Sequence, residues 1–191
     1  MNPIEEMPVS ELKDFLQNIN QPPTREKPEV VKAIQEALTR AAYTIVELND
    51  EKPWGAYFRI DGQEADPFVG EFFPGLTSEK ARLGSEDAEL SPKILLVDPG
   101  QQLSWQYHSR RAERWAYLTP GRYYKSLTDE QGEPVMAEAG DVVQFQKGER
   151  HRLAAVNDTD YTLVAEIWQH SDPKHLSDEE DIVRLADDYQ R

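Results

Sequence analysis

Short strand-like runs dominate the chain between Lys93 and Gln169, and turn residues separate one run from the next. The runs are KILLV, LSWQYH, RWAYLT, RYYKSLT, PVMAE, DVVQFQ, HRLAAV and YTLVAEIWQ. The turn segments are Pro99-Gly100, Pro120-Gly121, Glu130-Gln131-Gly132, Ala139-Gly140, Lys147-Gly148 and Asn157-Asp158. Regularly spaced short strands with Gly and Pro turns are typical of an antiparallel sandwich or barrel. The sequence therefore predicts a mainly β domain.

Helical patterns precede the strand-like region. Residues 1–42 carry two amphipathic stretches. Ser10 is placed to cap the first, and the second starts near Pro28, because proline is tolerated in the first turn of a helix. We therefore predict a helical extension over residues 1–42 and a β domain over residues 43–191.

Two segments of the β domain depart from the strand pattern. Residues 63–92 form a long interruption rich in Pro, Gly and acidic residues. A loop of this length is functional or mobile, and we interpret it as an insertion that forms either a lid or a flap over a sheet edge. Residues 177–190 combine a capping box, from Ser177 to Glu180, with apolar residues at helical spacing, which predicts a C-terminal helix.

The charge of the chain argues against two classes of partner. Lys and Arg number 21 and Asp and Glu number 36, giving a formal net charge of −15. Nucleic acids and anionic membrane surfaces both attract clustered positive charge, so neither is an expected partner. The absence of Cys excludes disulfides and thiolate metal ligands. No secretory signal or membrane-spanning apolar run is visible, so we expect a cytoplasmic protein.

Four residues with metal-binding side chains stand at spacings that can bring them together. Gln106 and His108 leave the same face of one strand, because side chains alternate along a strand. Glu113 begins the next run and His151 begins a later one. Two imidazoles, a carboxylate and an amide oxygen would suit a divalent first-row metal. The alternative is that His108 and His151 are ordinary core or surface histidines.

The spacing around these residues resembles the two conserved motifs of the cupin superfamily. The segments closest to the cupin domain of type II mannose-6-phosphate isomerases are PWG at 53–55, LSWQYHSRRAERW at 103–115, HRL at 151–153 and DIVRLADDYQR at 181–191. The resemblance implies a double-stranded β-helix, that is, a cupin or jelly-roll barrel. It also implies a divalent metal, Zn in the first place and otherwise Mn, Fe or Ni, held by Gln106, His108, Glu113 and His151.

Basic and acidic residues near these motifs are candidates for binding and catalysis. Arg111, Arg152 and Arg184 are candidate substrate-binding residues, because the planar guanidinium can bind a phosphate in a bidentate manner. Glu166, Lys147 and Arg184 are the candidate catalytic residues. In the alternative interpretation the arginines pair with surface acids, Lys147 is a turn residue and Glu166 lies exposed on a sheet edge.

The remaining histidines and the tryptophans are expected to serve the fold or the surface. His170 and His175 follow the last strand in an acidic loop and are predicted to be solvated. The tryptophans are predicted to be barrel core rather than a platform for sugars: Trp54, Trp105, Trp115 and Trp168.

Three function classes remain open. The resemblance favours an aldose–ketose isomerase acting on a small phosphosugar, either mannose 6-phosphate or a relative such as a heptose phosphate. Two His and one carboxylate are also typical of non-haem iron dioxygenases, and a non-catalytic sugar-binding cupin is the third possibility. Gln106 as a fourth ligand and arginines near the metal favour the isomerase. Open barrel edges and amphipathic N-terminal helices predict a homodimer.

Overall fold

The computed structural model describes residues 9–23, 25–84, 88–172 and 174–189. Its helices are α1 (Val9–Gln17), α2 (Lys27–Arg40), α3 (Ala65–Phe72) and α4 (Ser78–Ala81), with a 3₁₀ turn at Gly62–Glu64. The first strands are β1 (Ile45–Lys52), β2 (Gly55–Ile60), β3 (Leu90–Val97), β4 (Trp105–Tyr107), β5 (Arg111–Tyr117) and β6 (Gly121–Ser126). The others are β7 (Val135–Ala137), β8 (Val142–Phe145), β9 (Arg150–Ala155), β10 (Thr162–His170) and β11 (Val183–Ala186).

The strands form two antiparallel sheets. The first sheet has the order β1-β2-β3-β10-β5-β8 and the second has the order β11-β4-β9-β6-β7. Within β3 to β10, one sheet holds β3, β5, β8 and β10 and the other holds β4, β6, β7 and β9. This arrangement of eight antiparallel strands is a jelly roll, the double-stranded β-helix. The predicted fold class is confirmed.

Alternation along β10 divides the apolar residues into two separate cores. Val164 faces the space between the sheets, where it joins a cluster that includes Trp115, Tyr117 and Leu153. Leu163, Ala165 and Ile167 face the other way, toward the helices. Both faces of β10 are therefore covered, and all nine of its residues are buried.

The N-terminal helices and the interruption cover the outer face of the first sheet. Leu16 of α1 and Ile34 of α2 are fully buried in the outer core, and so is Phe68 of α3. Pro28 lies in the first turn of α2, as predicted, whereas the side chain of Ser10 lies outside the described part. Because the apolar faces of α1 and α2 are covered within the chain, they supply no reason for a homodimer, which stays a prediction.

The interruption is a packed helical segment and is shorter than predicted. It contains α3 and α4, and its last three residues already belong to β3, which begins at Leu90. Phe68 and Phe72 stack against each other with ring centroids 4.7 Å apart, inside the outer core. The segment therefore lies over the outer face of the sheet.

No helix that the structure describes is long and apolar enough to cross a membrane.

The predicted C-terminal helix is wrong. Residues 183–186 form β11, which pairs antiparallel with β4 at the edge of the second sheet. The hydroxyl of Ser177 donates to the carboxylate of Asp181 instead of capping a helix. That carboxylate also accepts from the backbone N–H groups of Ser109 and Arg110, which ties the segment beside the strand edge. Pairing with a strand edge thus outweighs the helical spacing of the apolar residues.

Candidate metal centre

Three side chains converge at one end of the barrel interior. Glu113 of β5 and His151 of β9 face inward from opposite sheets, and His108 directly follows β4. Glu113 Oε1 lies 3.1 Å from His108 Nε2, and Glu113 Oε2 lies 3.2 Å from His151 Nε2. All three residues are buried, and their candidate ligand atoms lie within 4.8 Å of one another. The structure therefore brings together three of the four predicted ligands as a possible metal-binding triad.

The hydrogen bonds of the two histidines select the tautomer in which Nε2 faces the triad as the ligand atom. His108 Nδ1 faces the backbone carbonyl of Asp181, and His151 Nδ1 lies 2.9 Å from that of Glu149. A carbonyl only accepts, so each Nδ1 donates, and in the neutral form of each ring the lone pair is then on Nε2. Backbone carbonyls commonly orient metal-binding histidines in this way.

A metal ion suits the environment of these lone pairs. His151 Nε2 is buried and has no hydrogen-bond partner among the described residues. Burial lowers the pKa of His108, so its ring is neutral near pH 7. Burial alone would raise the pKa of Glu113, but His108 and the cationic Arg111 outweigh it and hold that pKa well below its usual value. Two imidazoles facing one carboxylate are a donor set that Zn²⁺ and related divalent ions accept.

Gln106 lies beside the triad, with its amide nitrogen toward it. Gln106 Nε2 is 3.4 Å from His108 Nε2, while Gln106 Oε1 accepts from the hydroxyl of Ser104. Ligation through Oε1 would require the amide to turn over. The predicted fourth ligand is therefore adjacent to the site, and its role in binding a metal stays a prediction.

Arg111 is bound within the protein around the triad. Its Nε donates to Glu113 Oε1 at 2.8 Å, and its Nη2 lies 3.2 Å from His108 Nε2. Its Nη1 donates to the hydroxyl of Ser177 at 2.7 Å. The guanidinium also lies 3.6 Å from the ring centroid of Trp168. Arg111 therefore positions Glu113 and has few donors left for a substrate.

Glu166 is a buried carboxyl held by two tryptophans. Trp115 Nε1 donates to one carboxyl oxygen at 2.9 Å, and Trp168 Nε1 donates to the other at 3.0 Å. Burial, together with the negative charge of Glu113, raises the pKa of Glu166 to about 8. Glu166 is therefore mainly protonated at pH 7, whereas a carboxyl on the surface is ionised at this pH. Both tryptophans are buried as predicted, and they also bind this carboxyl.

A cavity connects the triad to the surface. Its volume is about 90 Å³, which is below the usual range of small-molecule sites. Gln106, Glu113 and Glu166 line its inner part, and the exposed residues Glu179 and Arg184 line its outer part. Its complete lining is Lys52, Trp54, Tyr57, Lys93, Leu95, Leu103, Ser104, Gln106, Arg111, Glu113, Glu166, Trp168, Glu179, Ile182 and Arg184.

Arg152 and Lys147 lie away from both the triad and this cavity. Because side chains alternate along β9, Arg152 points away from the interior that His151 and Leu153 face. It donates to the backbone carbonyl of Ala186 and lies 3.5 Å from the carboxylate of Asp188. Lys147 is exposed in the turn between β8 and β9. Neither residue can reach a ligand in the cavity from these positions, so the roles predicted for them are corrected.

Sequence reasoning missed two buried basic groups. His170 was expected to be solvated, but it is buried: its Nδ1 accepts from the backbone N–H of Ser177 at 2.9 Å. Burial and then the charge of Arg111 lower the pKa of His170 to about 4. Lys93 lines the cavity. The pattern of its run, KILLV, predicts a strand and gives no sign that the lysine faces the interior. His175 is exposed, as predicted.

Comparisons with known proteins find solved structures of low similarity and no match in sequence. No family model matches the chain, and no curated protein is similar to it. A double-stranded β-helix domain protein from Klebsiella pneumoniae has 14% identity and a TM-score of 0.38, covering 54% of this chain and 77% of its own. A cupin 2 conserved barrel domain protein from Salinispora arenicola has 17% identity and a TM-score of 0.42, covering 65% and 82%. Oxalate decarboxylase from Bacillus subtilis has 16% identity and a TM-score of 0.48, covering 73% and 30%. The fold assignment itself rests on the strand order.

Proposed function

We propose that this chain is a metal-dependent enzyme of the cupin type that interconverts the aldose and ketose forms of a small phosphosugar. The observation that carries the proposal is the position of Glu166. This carboxyl lines the same cavity as Gln106 and Glu113, next to a triad of two imidazoles and a carboxylate. Aldose–ketose isomerisation requires a group that moves a proton between neighbouring carbons beside a group that polarises their oxygens.

His108, Glu113 and His151 would hold the ion, and Gln106 would complete the set after its amide turns. When bound, a divalent ion would polarise the C1 and C2 oxygens and stabilise the negative charge that develops on them. Arg111 fixes the carboxylate of Glu113 in place. The backbone carbonyls of Glu149 and Asp181 keep His151 and His108 in the ligating tautomer.

Glu166 is our candidate for the proton-transferring group. In its ionised form it would take the proton from C2 of an aldose and return it to C1, while the proton on O2 passes to O1, so that the proton count balances within one turnover. A pKa of about 8 makes this carboxyl a stronger base than an ordinary glutamate once it has ionised. The two indole N–H groups fix both of its oxygens, which keeps the carboxyl plane in one orientation.

Arg184 supports an anionic substrate. It lies on β11 opposite Gln106 in the strand register and lines the outer part of the cavity. A positive charge at that place attracts a phosphate locally, which a chain of net charge −15 requires. We assign Arg184 to binding rather than to proton transfer, because Glu166 is buried and Arg184 is exposed.

One observation supports a second candidate, a non-haem iron oxygenase. The converging triad holds two His and one carboxylate, and Gln106 turns its oxygen toward Ser104. Two His and one carboxylate with open positions are the ligands of such oxygenases. The content of metal in the purified protein and the reaction that it catalyses separate the two candidates.

The test is incubation of the purified protein with a panel of aldose and ketose phosphates in D₂O. We expect interconversion of one pair with incorporation of deuterium from the solvent, and we expect a chelator to abolish both. Metal content is measured in parallel. Oxygen consumption without interconversion would favour the oxygenase. Stoichiometric metal with no turnover on any phosphosugar would favour a binding protein.

A further inference from the structure

Lys93 places a positive charge inside the barrel. It lies on β3 opposite Glu166 in the strand register, and like Leu95 it lines the cavity. Only 4% of its side chain is exposed. Its Nζ lies 3.5 Å from the ring centroid of Trp168 and 5.3 Å from that of Tyr57. Aromatic faces attract a cation, but they do not replace the hydrogen bonds that a buried ammonium loses.

The anionic partner of Lys93 comes from the surface. Its Nζ donates to Glu179 Oε1 at 2.5 Å, and this is its only hydrogen bond to a described residue. The side chain of Glu179 is 59% exposed. The carboxyl of Glu166, opposite Lys93 in the strand register, already accepts from two indoles. An ammonium has three donors, so Lys93 can bind further oxygen atoms.

The surroundings of Lys93 are those that an anionic group requires. Lys52 and Arg184 line the same cavity, so three cations lie near a single exposed carboxylate, that of Glu179. Arg111 also lines the cavity, but its charge is matched by Glu113. This local excess of positive charge contrasts with the net charge of −15 of the whole chain.

We infer that Lys93, with Lys52 and Arg184 beside it, is the subsite for the oxyanion of a small substrate, and that the carboxylate of Glu179 occupies this subsite until the oxyanion displaces it. Under the proposed function, on which this inference rests, the oxyanion is the phosphate of the sugar. Glu179 is a suitable occupant, because it is largely exposed and can return to water when it leaves. Its displacement would exchange one anionic partner of the buried ammonium for another.

The test uses inorganic phosphate as the probe and isothermal titration calorimetry as the measurement. Glu179→Gln removes the competing charge and is expected to strengthen phosphate binding by about threefold or more, and Lys93→Met to weaken it by about tenfold or more. Glu180→Gln and Lys32→Met make the same changes of net charge at exposed positions outside the cavity. Both controls are expected to bind phosphate as the original chain does, and Lys93→Arg is expected to restore binding to Lys93→Met.

Several outcomes would overturn the inference. Unchanged binding in Lys93→Met is one, and unchanged or weaker binding in Glu179→Gln is another. If Lys93→Met does not fold by circular dichroism, Glu179→Gln decides, because its side chain is exposed. Acetate as a second probe distinguishes a phosphate subsite, which binds acetate weakly, from a general carboxylate site. The deuterium experiment tests the proposed function independently of this inference. If phosphate binding depends on Lys93 but no sugar phosphate is interconverted, the subsite stands and the isomerase activity is rejected.

Discussion

The two faces of β10 differ in what they contribute to the molecule. On the outer face, Leu163, Ala165 and Ile167 pack against the helices and carry no polar group. On the inner face, Glu166 and Trp168 line the cavity, and the carboxyl of Glu166 is buried with its pKa raised to about 8. These three residues contribute stability, because burial of apolar surface is their only effect.

The difference between the two faces indicates how the barrel accommodates ionisable side chains in its interior. Burial of ionisable groups is unfavourable unless they are paired, and Glu113, Arg111, Lys93 and Glu166 are all buried. The helix-covered outer core lies on the opposite side of the same strand and offsets this. Stability and chemistry are thus assigned to alternate residues of one strand.

The largest expected effect is on the metal. His151→Ala removes a ligand atom from the inner side, and we expect bound metal to fall from about one per chain to below about 0.1. His175→Ala, at an exposed position, is the matched control and should retain the metal. Elemental analysis after dialysis measures both. Full occupancy in His151→Ala would exclude the triad as the site.

The second effect concerns Glu166 and pH. Its folded pKa of about 8 exceeds the ordinary value of 4.5, so the folded chain keeps a proton that the unfolded chain loses between these values. Stability therefore falls as the pH rises through this window. In the original chain, the unfolding free energy should decrease by on the order of 4 kcal/mol between about pH 5 and about pH 8, and Glu166→Gln should not show this decrease.

The measurement is urea unfolding at several pH values in metal-free protein, because a cation at Glu113 would itself favour the ionised form of Glu166. The pH slope matters, since Gln cannot accept from both indoles and lowers stability at every pH. Equal slopes for Glu166→Gln and the original chain would show that Glu166 ionises normally.

The third effect concerns the outer face. Ile167→Ala leaves a cavity against the helices and should lower the unfolding free energy by about 3 kcal/mol. We expect metal content and the pH slope to stay as in the original chain. Val183→Ala, which is 41% exposed, should change stability by less than about 0.5 kcal/mol. Loss of metal in Ile167→Ala would mean that the two faces are coupled.

The smallest effect separates two arginines. Arg152→Ala should leave turnover within about twofold while lowering stability by about 1–2 kcal/mol, because the side chain binds Ala186 and Asp188 outside the cavity. Arg184→Ala should raise KM about fivefold or more, with metal unchanged. Steady-state kinetics on the phosphosugar found above provide the comparison. Equal KM values for the two variants would remove the distinction.

The sequence predicts most strands because their pattern is local. Apolar runs bounded by Gly and Pro turns specify the strands of the jelly roll, and the inward alternation of Glu113 and His151 follows from the strand period. The segment DIVRLADDYQR was misread because its apolar spacing suits a helix. The edge of β4 and the carboxylate contacts of Asp181 favour a strand, and neither is visible locally.

The contacts between charged side chains in the interior depend on the register in which the strands pair. Lys93 meets Glu166 only because β3 and β10 pair in one register, and the two positions are far apart in the chain. Arg152 follows a predicted ligand and was therefore expected at the cavity, although alternation places it on the other face. Local motifs locate ligands, but long-range pairing decides which neighbouring side chains join them.

The contact between His108 and the carbonyl of Asp181 joins residues 73 positions apart. The ribosome releases a chain from its N-terminus, so His108, Glu113 and His151 are all synthesised before Asp181. The ring of His108 acquires its orientation only when residue 181 has been added and β11 has joined the edge of β4. Under the proposed metal site, the contact that orients this ligand is therefore completed late in synthesis, after the other two residues of the triad are already in the chain.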